Sequence, residues 1–414
     1  MSLQGPVIVV AEEPVPEFVA ALAATGLFPV VETRWRGAAM AIAQVRPAAL
    51  ILADAAGDPA LAASLTRARE GEPFLPVIAW LADGGEVLPG TLPFAVDAPF
   101  SRLQARLSAA LRVRGLHAAM LHRQRSGEHH ATVSVPASDP LDDATVLVVG
   151  RGRSYPALAV AVGEQVGLIG ALSVETAARH LRTREIDGVV IGDGLSARMV
   201  DGFLVVLSED ARFRDLPVAL LRANPQSPDP EGLPHFERDS DPRRLVERFL
   251  PLVRMHAFEG RLQRIIKSLD ADGMLDPETG LLCADAFRQY LGQAMNEAVR
   301  NRTGLSLTRI SFERPQPERT TRDAARLVSR LLRSNDFACC DSDGSIVAVF
   351  TQTDLSAAHV AARRIASLLK TTIMSDADAP AYDPTVTLAT LKPHDTLGTL
   401  IARVMGVPMA VAAE

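Results

Sequence analysis

Ala49-Leu50-Ile51-Leu52-Ala53-Asp54 is echoed further along the chain by Gly188-Val189-Val190-Ile191-Gly192-Asp193. Each is a short apolar run closed by a small residue and an aspartate. Runs of this length without alternation read as strands buried on both faces. Outward from the first lie Val7–Val10, then Val30-Val31, Pro76-Val77-Ile78-Ala79-Trp80 and Phe94-Ala95-Val96. Helical stretches separate them at 18–25, 38–44 and 61–69, and another follows Pro99-Phe100 to Gly115. Around the second lie Thr145–Val149, Leu168-Ile169 and Pro217-Val218-Ala219-Leu220-Leu221, with helices from Pro156, over 173–183 and over 241–258. Strands alternating with helices of about 10–15 residues predict parallel sheets joined by helical crossovers.

A chain of 414 residues has room for about three domains. The expected division is 1–116, a linker at 117–143, 144–260, a helical linker at 261–275, and a third unit at 276–414. The predicted fold class is α/β: two flavodoxin-like units with parallel five-stranded sheets, then an α+β unit. Apolar residues make up 48% and charged residues 22%, enough for ordinary cores, so wholesale disorder is excluded.

Lys+Arg 43 against Asp+Glu 49 gives a formal charge of −6, which argues against broad duplex nucleic-acid binding. No apolar run approaches the ~18 residues of a membrane helix, and no leader pattern opens the chain. A cytoplasmic protein is expected. Cys283, Cys339 and Cys340 fit a reduced compartment better than a disulfide scaffold. His129 and His130 have no further ligands at metal spacing, so neither metal nor cofactor is expected.

With five strands and a proline before the fourth (Pro76, Pro217), each half resembles a response-regulator receiver domain. The resemblance implies an aspartate ending the third strand as phosphoryl acceptor, acids after the first strand holding Mg²⁺, a hydroxyl after the fourth and a lysine after the fifth. Oxygen ligands suit Mg²⁺, and a fixed cation suits an acyl phosphate. In the first half Glu12 and Glu13 fit, but the acceptor register falls on Ala53 with Asp54 one residue late. Leu81 takes the hydroxyl position and Ala98 the lysine position. In the second, Gly150-Arg151 replace the acids, Gly192 precedes Asp193, Leu221 replaces the hydroxyl, and Arg238 stands nearest the lysine. A one-residue offset on a strand turns a side chain to the other face. Both halves are therefore expected to be pseudo-receivers serving protein interaction or dimerisation. Asp54 is a phosphoacceptor only if a bulge restores its register.

Asp276-Pro277-Glu278-Thr279-Gly280-Leu281, followed by Phe287, resembles the opening of GGDEF (diguanylate cyclase) domains. The resemblance implies a nucleotide-cyclase-like fold, with acids binding metal and glycines letting the backbone approach phosphates. The matching positions read Arg309 and Ser311 on the first core strand and Ser342-Asp343-Gly344-Ser345-Ile346 at the signature turn. These changes imply a degenerate domain that is not an enzyme. Asp341-Ser342-Asp343-Gly344 lacks the spacing of a calcium loop.

Five residues before that turn lies Arg333-Ser334-Asn335-Asp336, where the family has its R-x-x-D inhibitory site for cyclic di-GMP. The tetrad recurs at Arg184/Asp187, Arg198/Asp201, Arg212/Asp215 and Arg238/Asp241, so only its register gives it weight. A guanidinium pairs with guanine O6/N7 or a phosphate, and a carboxylate accepts from N1–H and N2–H. The family adds an arginine from the following helix, here Arg364 or Arg363. The order of units resembles the PopA-type cyclic di-GMP effectors, polar adaptors in regulated proteolysis of cell-cycle factors. The resemblance implies a cyclic di-GMP receptor with protein partners at its receiver-like units, homodimeric and recruited to a cell pole. A ligand-independent dimeric scaffold, a working cyclase and a phosphorelay receiver are the alternatives.

Overall fold

The computed structural model describes residues 5–53, 73–81, 85, 87–126, 138–221, 230, 232–312, 316–372 and 383–406. The expected helix at 61–69, Asp54, His129 and His130 lie outside the described residues.

β1 (Val7–Val10), β2 (Val30–Thr33), β3 (Ala49–Leu52), β4 (Val77–Leu81) and β5 (Leu92–Ala95) form a parallel sheet in the order β2-β1-β3-β4-β5. Every residue of β1 and β3 is buried, which is why both read as unbroken apolar runs. α1 (Pro16–Ala24) and α2 (Trp35–Val45) make the first two crossovers. α3 (Phe100–Ser126) follows β5.

The second half repeats the connectivity. β6 (Thr145–Val149), β7 (Gly167–Ala171), β8 (Gly188–Ile191), β9 (Val218–Leu221) and β10 (Phe236–Asp239) run in the order β10-β9-β8-β6-β7, all parallel. Its helices are α4 (Tyr155–Gly163), α5 (Val174–Thr183), α6 (Ala197–Glu209) and α7 (Pro242–Asp270). Residues 82–91 and 222–235 join the fourth strand to the fifth in the two halves, and no helix lies among the described residues of either stretch.

Both parallel sheets belong to one compact unit reaching Gln263, and a second compact unit holds the chain from Arg264. Helix α3 also runs past the expected start of a linker at 117. His117, Met120 and Leu121 are buried, and the His117 ring sits 5.5 Å from that of Phe258 and 6.3 Å from that of Phe74. The helix continues because its apolar face still has something to cover.

In the second unit β11 (Leu305–Phe312), β12 (Phe337–Cys340), β13 (Ile346–Thr351) and β14 (Pro384–Thr390) form an antiparallel sheet in the order β12-β13-β11-β14. Side chains alternate across it. Leu305, Leu307, Val347 and Val349 pack with residues of α8 (Ala284–Asn301) and α11 (Leu397–Met405). Ile310, Ile346, Ala348 and Phe350 pack with residues of α9 (Glu318–Leu331) and α10 (Leu355–Thr372). The fold class is the one the sequence predicts: two flavodoxin-like α/β halves and a nucleotide-cyclase-like α+β unit.

Candidate ligand-binding site

The Asp276–Leu281 string folds as a clasp. The Asp276 carboxylate accepts the Glu278 N–H at 3.1 Å and the Thr279 hydroxyl at 2.5 Å, and Thr279 Oγ1 accepts the Leu281 N–H at 3.3 Å. Backbone bonds from Gly280 N to Asp276 O and from Asp276 N to Leu281 O, both 2.8 Å, close the turn. Ser329 and Arg326 of α9 donate to the Gly280 and Glu278 carbonyls at 3.3 and 2.8 Å. The string therefore seats α9 against the segment leading into α8.

Past the end of α9, Arg333 O accepts the Asp336 N–H at 3.1 Å, so the R-x-x-D pair occupies the two ends of one tight turn into β12. The Asp336 carboxylate turns toward the end of β13. Its Oδ1 accepts the Thr351 N–H at 3.0 Å and faces the Thr351 hydroxyl at 3.4 Å. The same hydroxyl donates to Asn335 O at 3.2 Å. Gln352, next along, holds a left-handed φ of 51°. The Arg333 side chain is exposed, and its guanidinium has no hydrogen-bond or ion-pair partner among the described residues.

This turn forms one wall of a cleft of about 710 Å³. Arg333, Asp336, Thr351 and Gln352 line it together with Gln293, Glu297 and Asn301 of α8. Such a volume matches an organic ligand of moderate size. Arg363 and Arg364 are exposed on α10 and do not line the cleft. Sequence reasoning missed the α8 residues. Their signal was a polar stripe at i, i+4 and i+8, which a surface helix facing water also shows.

The signature turn links β12 to β13. Arg309 Nε donates to Ser345 Oγ at 3.1 Å, and its guanidinium pairs with Asp343. Burial acts to raise the Asp343 carboxyl, but hydrogen bonds from Ser345 and Arg309 outweigh it and hold the group below its ordinary value. Gly344 has a φ of 78°, and an added Cβ there would meet Thr321 Cγ2 at 3.3 Å. A cation thus stands beside the turn where the resemblance implied a metal-binding acid. Ser311 lies one strand position from Ile310, opposite Thr385, and Ser342 and Ile346 flank the same hairpin. Among the described residues no cluster of three or more His, Cys, Asp or Glu is placed to hold a metal. Burial pushes the Cys339 and Cys340 thiols up to about 12, which makes them core residues rather than nucleophiles.

In the second parallel sheet Asp193 accepts the N–H groups of Arg153 at 3.1 Å and Ser154 at 3.2 Å, and the Ser154 hydroxyl as well. Its own carbonyl accepts from Arg151 N and Gly152 N at 3.2 and 3.1 Å. Gly194, at φ 86°, permits the approach, since a Cβ there would lie 2.6 Å from Gly152 N. The carboxylate one residue past the acceptor register is thus engaged with the start of α4. Among the described residues no helix is long and apolar enough to cross a membrane.

No protein-family model matches the chain, and no curated protein matches it. Solved structures do. The coiled coil and GGDEF domain of DgcB from Caulobacter crescentus, in complex with c-di-GMP, is similar at 17% identity over 35% of this chain and 84% of that chain, with a TM-score of 0.31. The GGDEF domain of FimX from Pseudomonas aeruginosa is similar at 16% identity over 32% and 90%, with a TM-score of 0.29. The diguanylate cyclase SiaD from Pseudomonas aeruginosa, in complex with its activator SiaC, is similar at 16% identity over 72% and 95%, with a TM-score of 0.30. The expectation that the chain is not an enzyme is corrected at this point. A diguanylate cyclase stands among its structural neighbours, and replaced motif residues change the ligands on offer without establishing that turnover is lost.

Proposed function

We propose that the C-terminal unit is a receptor for cyclic di-GMP, which binds in the cleft beside the Arg333–Asp336 turn and alters contacts with protein partners. The observation that carries this reading is the exposed Arg333 guanidinium, unpaired among the described residues, at a cleft large enough for a nucleobase and its phosphate. A guanidinium offers two parallel N–H donors, which match guanine O6/N7 or a phosphate in bidentate fashion. Asp336 keeps one carboxylate oxygen beyond its bond to Thr351. Resemblance to the PopA-type effectors suggests that the partners belong to regulated proteolysis, engaged through the receiver-like halves of a homodimer.

Calorimetric titration of the full chain with cyclic di-GMP tests the reading, with Arg333→Ala as control. Saturable binding that weakens about tenfold or more in the variant is expected, since a good arginine–guanine pair is worth roughly 1–3 kcal/mol. Unchanged affinity in that variant refutes the site. The bond from Thr351 to Asp336 favours a second reading, in which the turn is architectural and the protein a ligand-independent scaffold. A flat titration supports that one.

A further inference from the structure

We propose that Glu297 of α8, rather than Asp336, is the carboxylate that reads the guanine N1–H and N2–H edge in this cleft. The inference rests on the receptor reading above and specifies how the base is chosen. A carboxylate grips that edge with both oxygens, one for each donor. Asp336 is poorly placed for it, because Oδ1 already takes the Thr351 N–H at 3.0 Å. A ligand donor at that oxygen would share it with the Thr351 N–H and crowd the Thr351 hydroxyl, 3.4 Å away.

Glu297 has no such commitment. It is exposed and lines the same cleft as Arg333, and its carboxylate makes no hydrogen bond or ion pair among the described residues. It stands at the middle of a stripe on α8, with Gln293 one turn before and Asn301 one turn after, both lining the cleft. Arg333 and Glu297 supply donors for O6/N7 and acceptors for N1–H/N2–H, the two complementary edges of guanine. Adenine presents an acceptor at N1 and no 2-amino group, so a carboxylate facing that edge repels it. The flanking amides can donate to or accept from the same base or its ribose. The pair therefore selects guanine over adenine.

The sign of one substitution separates this role from a mere acidic wall. Cyclic di-GMP is a dianion. If Glu297 does not touch it, Glu297→Gln removes a like charge and binding tightens or holds. If Glu297 grips the base, the same change weakens binding despite the electrostatic relief. Calorimetric titration of the full chain with cyclic di-GMP and cyclic di-AMP is run on the wild type, Glu297→Gln and Asp336→Asn. The asparagine keeps an acceptor for Thr351, and thermal unfolding checks that all three are folded. The expected result is about a tenfold loss for cyclic di-GMP in Glu297→Gln, a narrower preference over cyclic di-AMP, and a smaller loss in Asp336→Asn. Wild-type binding with Glu297→Gln equal or tighter, or a larger loss in Asp336→Asn, overturns this assignment and leaves the receptor reading standing. Absence of wild-type binding removes the receptor reading itself, and this assignment with it.

Discussion

Arg106 of α3 donates to Glu237 of β10 at 2.9 Å, joining the two parallel-sheet halves through a buried ion pair. The guanidinium also donates to the carbonyls of Pro234 at 3.2 Å and Phe236 at 3.4 Å, and to that of Pro93 in its own half. Arg248 approaches the far oxygen of Glu237 at 3.5 Å. A desolvated pair is tolerated when its remaining hydrogen-bond capacity is used in this way, and removing one member leaves the other charge uncompensated. Glu237→Leu is expected to lower stability by about 3–5 kcal/mol in urea unfolding. Arg106→Met combined with Glu237→Leu is expected to cost clearly less than the sum of the single changes. Additive single losses would show that the pair is not coupled.

The neighbouring histidines give this unit a pH dependence of two opposite signs. His235 is 2% exposed, its Nδ1 has no partner among the described residues, and burial pushes it well below its ordinary 6.5, helped by Arg106, His256 and Arg112. It stays neutral when folded but takes a proton when unfolded, so its contribution is full above about pH 6.5 and is lost as pH falls below that. For His256, burial opposes the charge, but Asp187 at 3.3 Å, with Glu259 and Asp215, raises its value. Its contribution is present below 6.5 and lost as pH rises through the raised value. His235→Phe is expected to flatten the acid limb of a stability–pH curve, and His256→Gln to flatten the neutral limb. An acid limb unchanged in His235→Phe would rule out the first assignment.

Period and apolar runs made the scaffold legible. VIVV and ALIL lie at the centre of a parallel sheet because nothing in them alternates. The end of α3 was not legible, because His117 and the alanines after it look like linker until Phe74 and Phe258 supply rings to pack on. At the cleft, Arg333 and Asp336 were legible by register. The bond from Thr351 to Asp336 spans the hairpin and leaves no local trace. The α8 stripe was silent for a different reason: a polar residue at every fourth position is what solvent alone selects.

Asp193, just past β8, has an architectural role. Its carboxylate accepts the N–H groups of Arg153 and Ser154 just ahead of α4, and the Ser154 hydroxyl, foremost, holds it below the ordinary carboxylate value. A hydrogen bond to a charged or polar group of this kind contributes about 1 kcal/mol net. Asp193→Ala is expected to cost about that much in urea unfolding. Asp193→Asn, which keeps an acceptor, is expected to recover most of the loss. A neutral Asp193→Ala would mean that the clasp contributes nothing measurable.

Within the Asp276–Leu281 clasp, Thr279 separates fold from ligand, because it holds the turn without lining the cleft. Thr279 is 9% exposed, and its hydroxyl both donates to Asp276 and accepts from Leu281 N–H. Thr279→Val keeps the shape but removes the hydroxyl, leaving a buried N–H and a carboxylate oxygen without their partner. An unmade hydrogen bond at a buried group costs about 1–3 kcal/mol. Urea unfolding is expected to show a loss in that range. Gly280 and Leu281 line the same cleft as Arg333, but Thr279 is buried within the clasp and does not, so cyclic di-GMP affinity under folding conditions is expected to change less than twofold, an energy of about 0.4 kcal/mol. Affinity falling tenfold while stability holds would reverse the assignment and make the string part of the ligand's grip rather than the seat of α9.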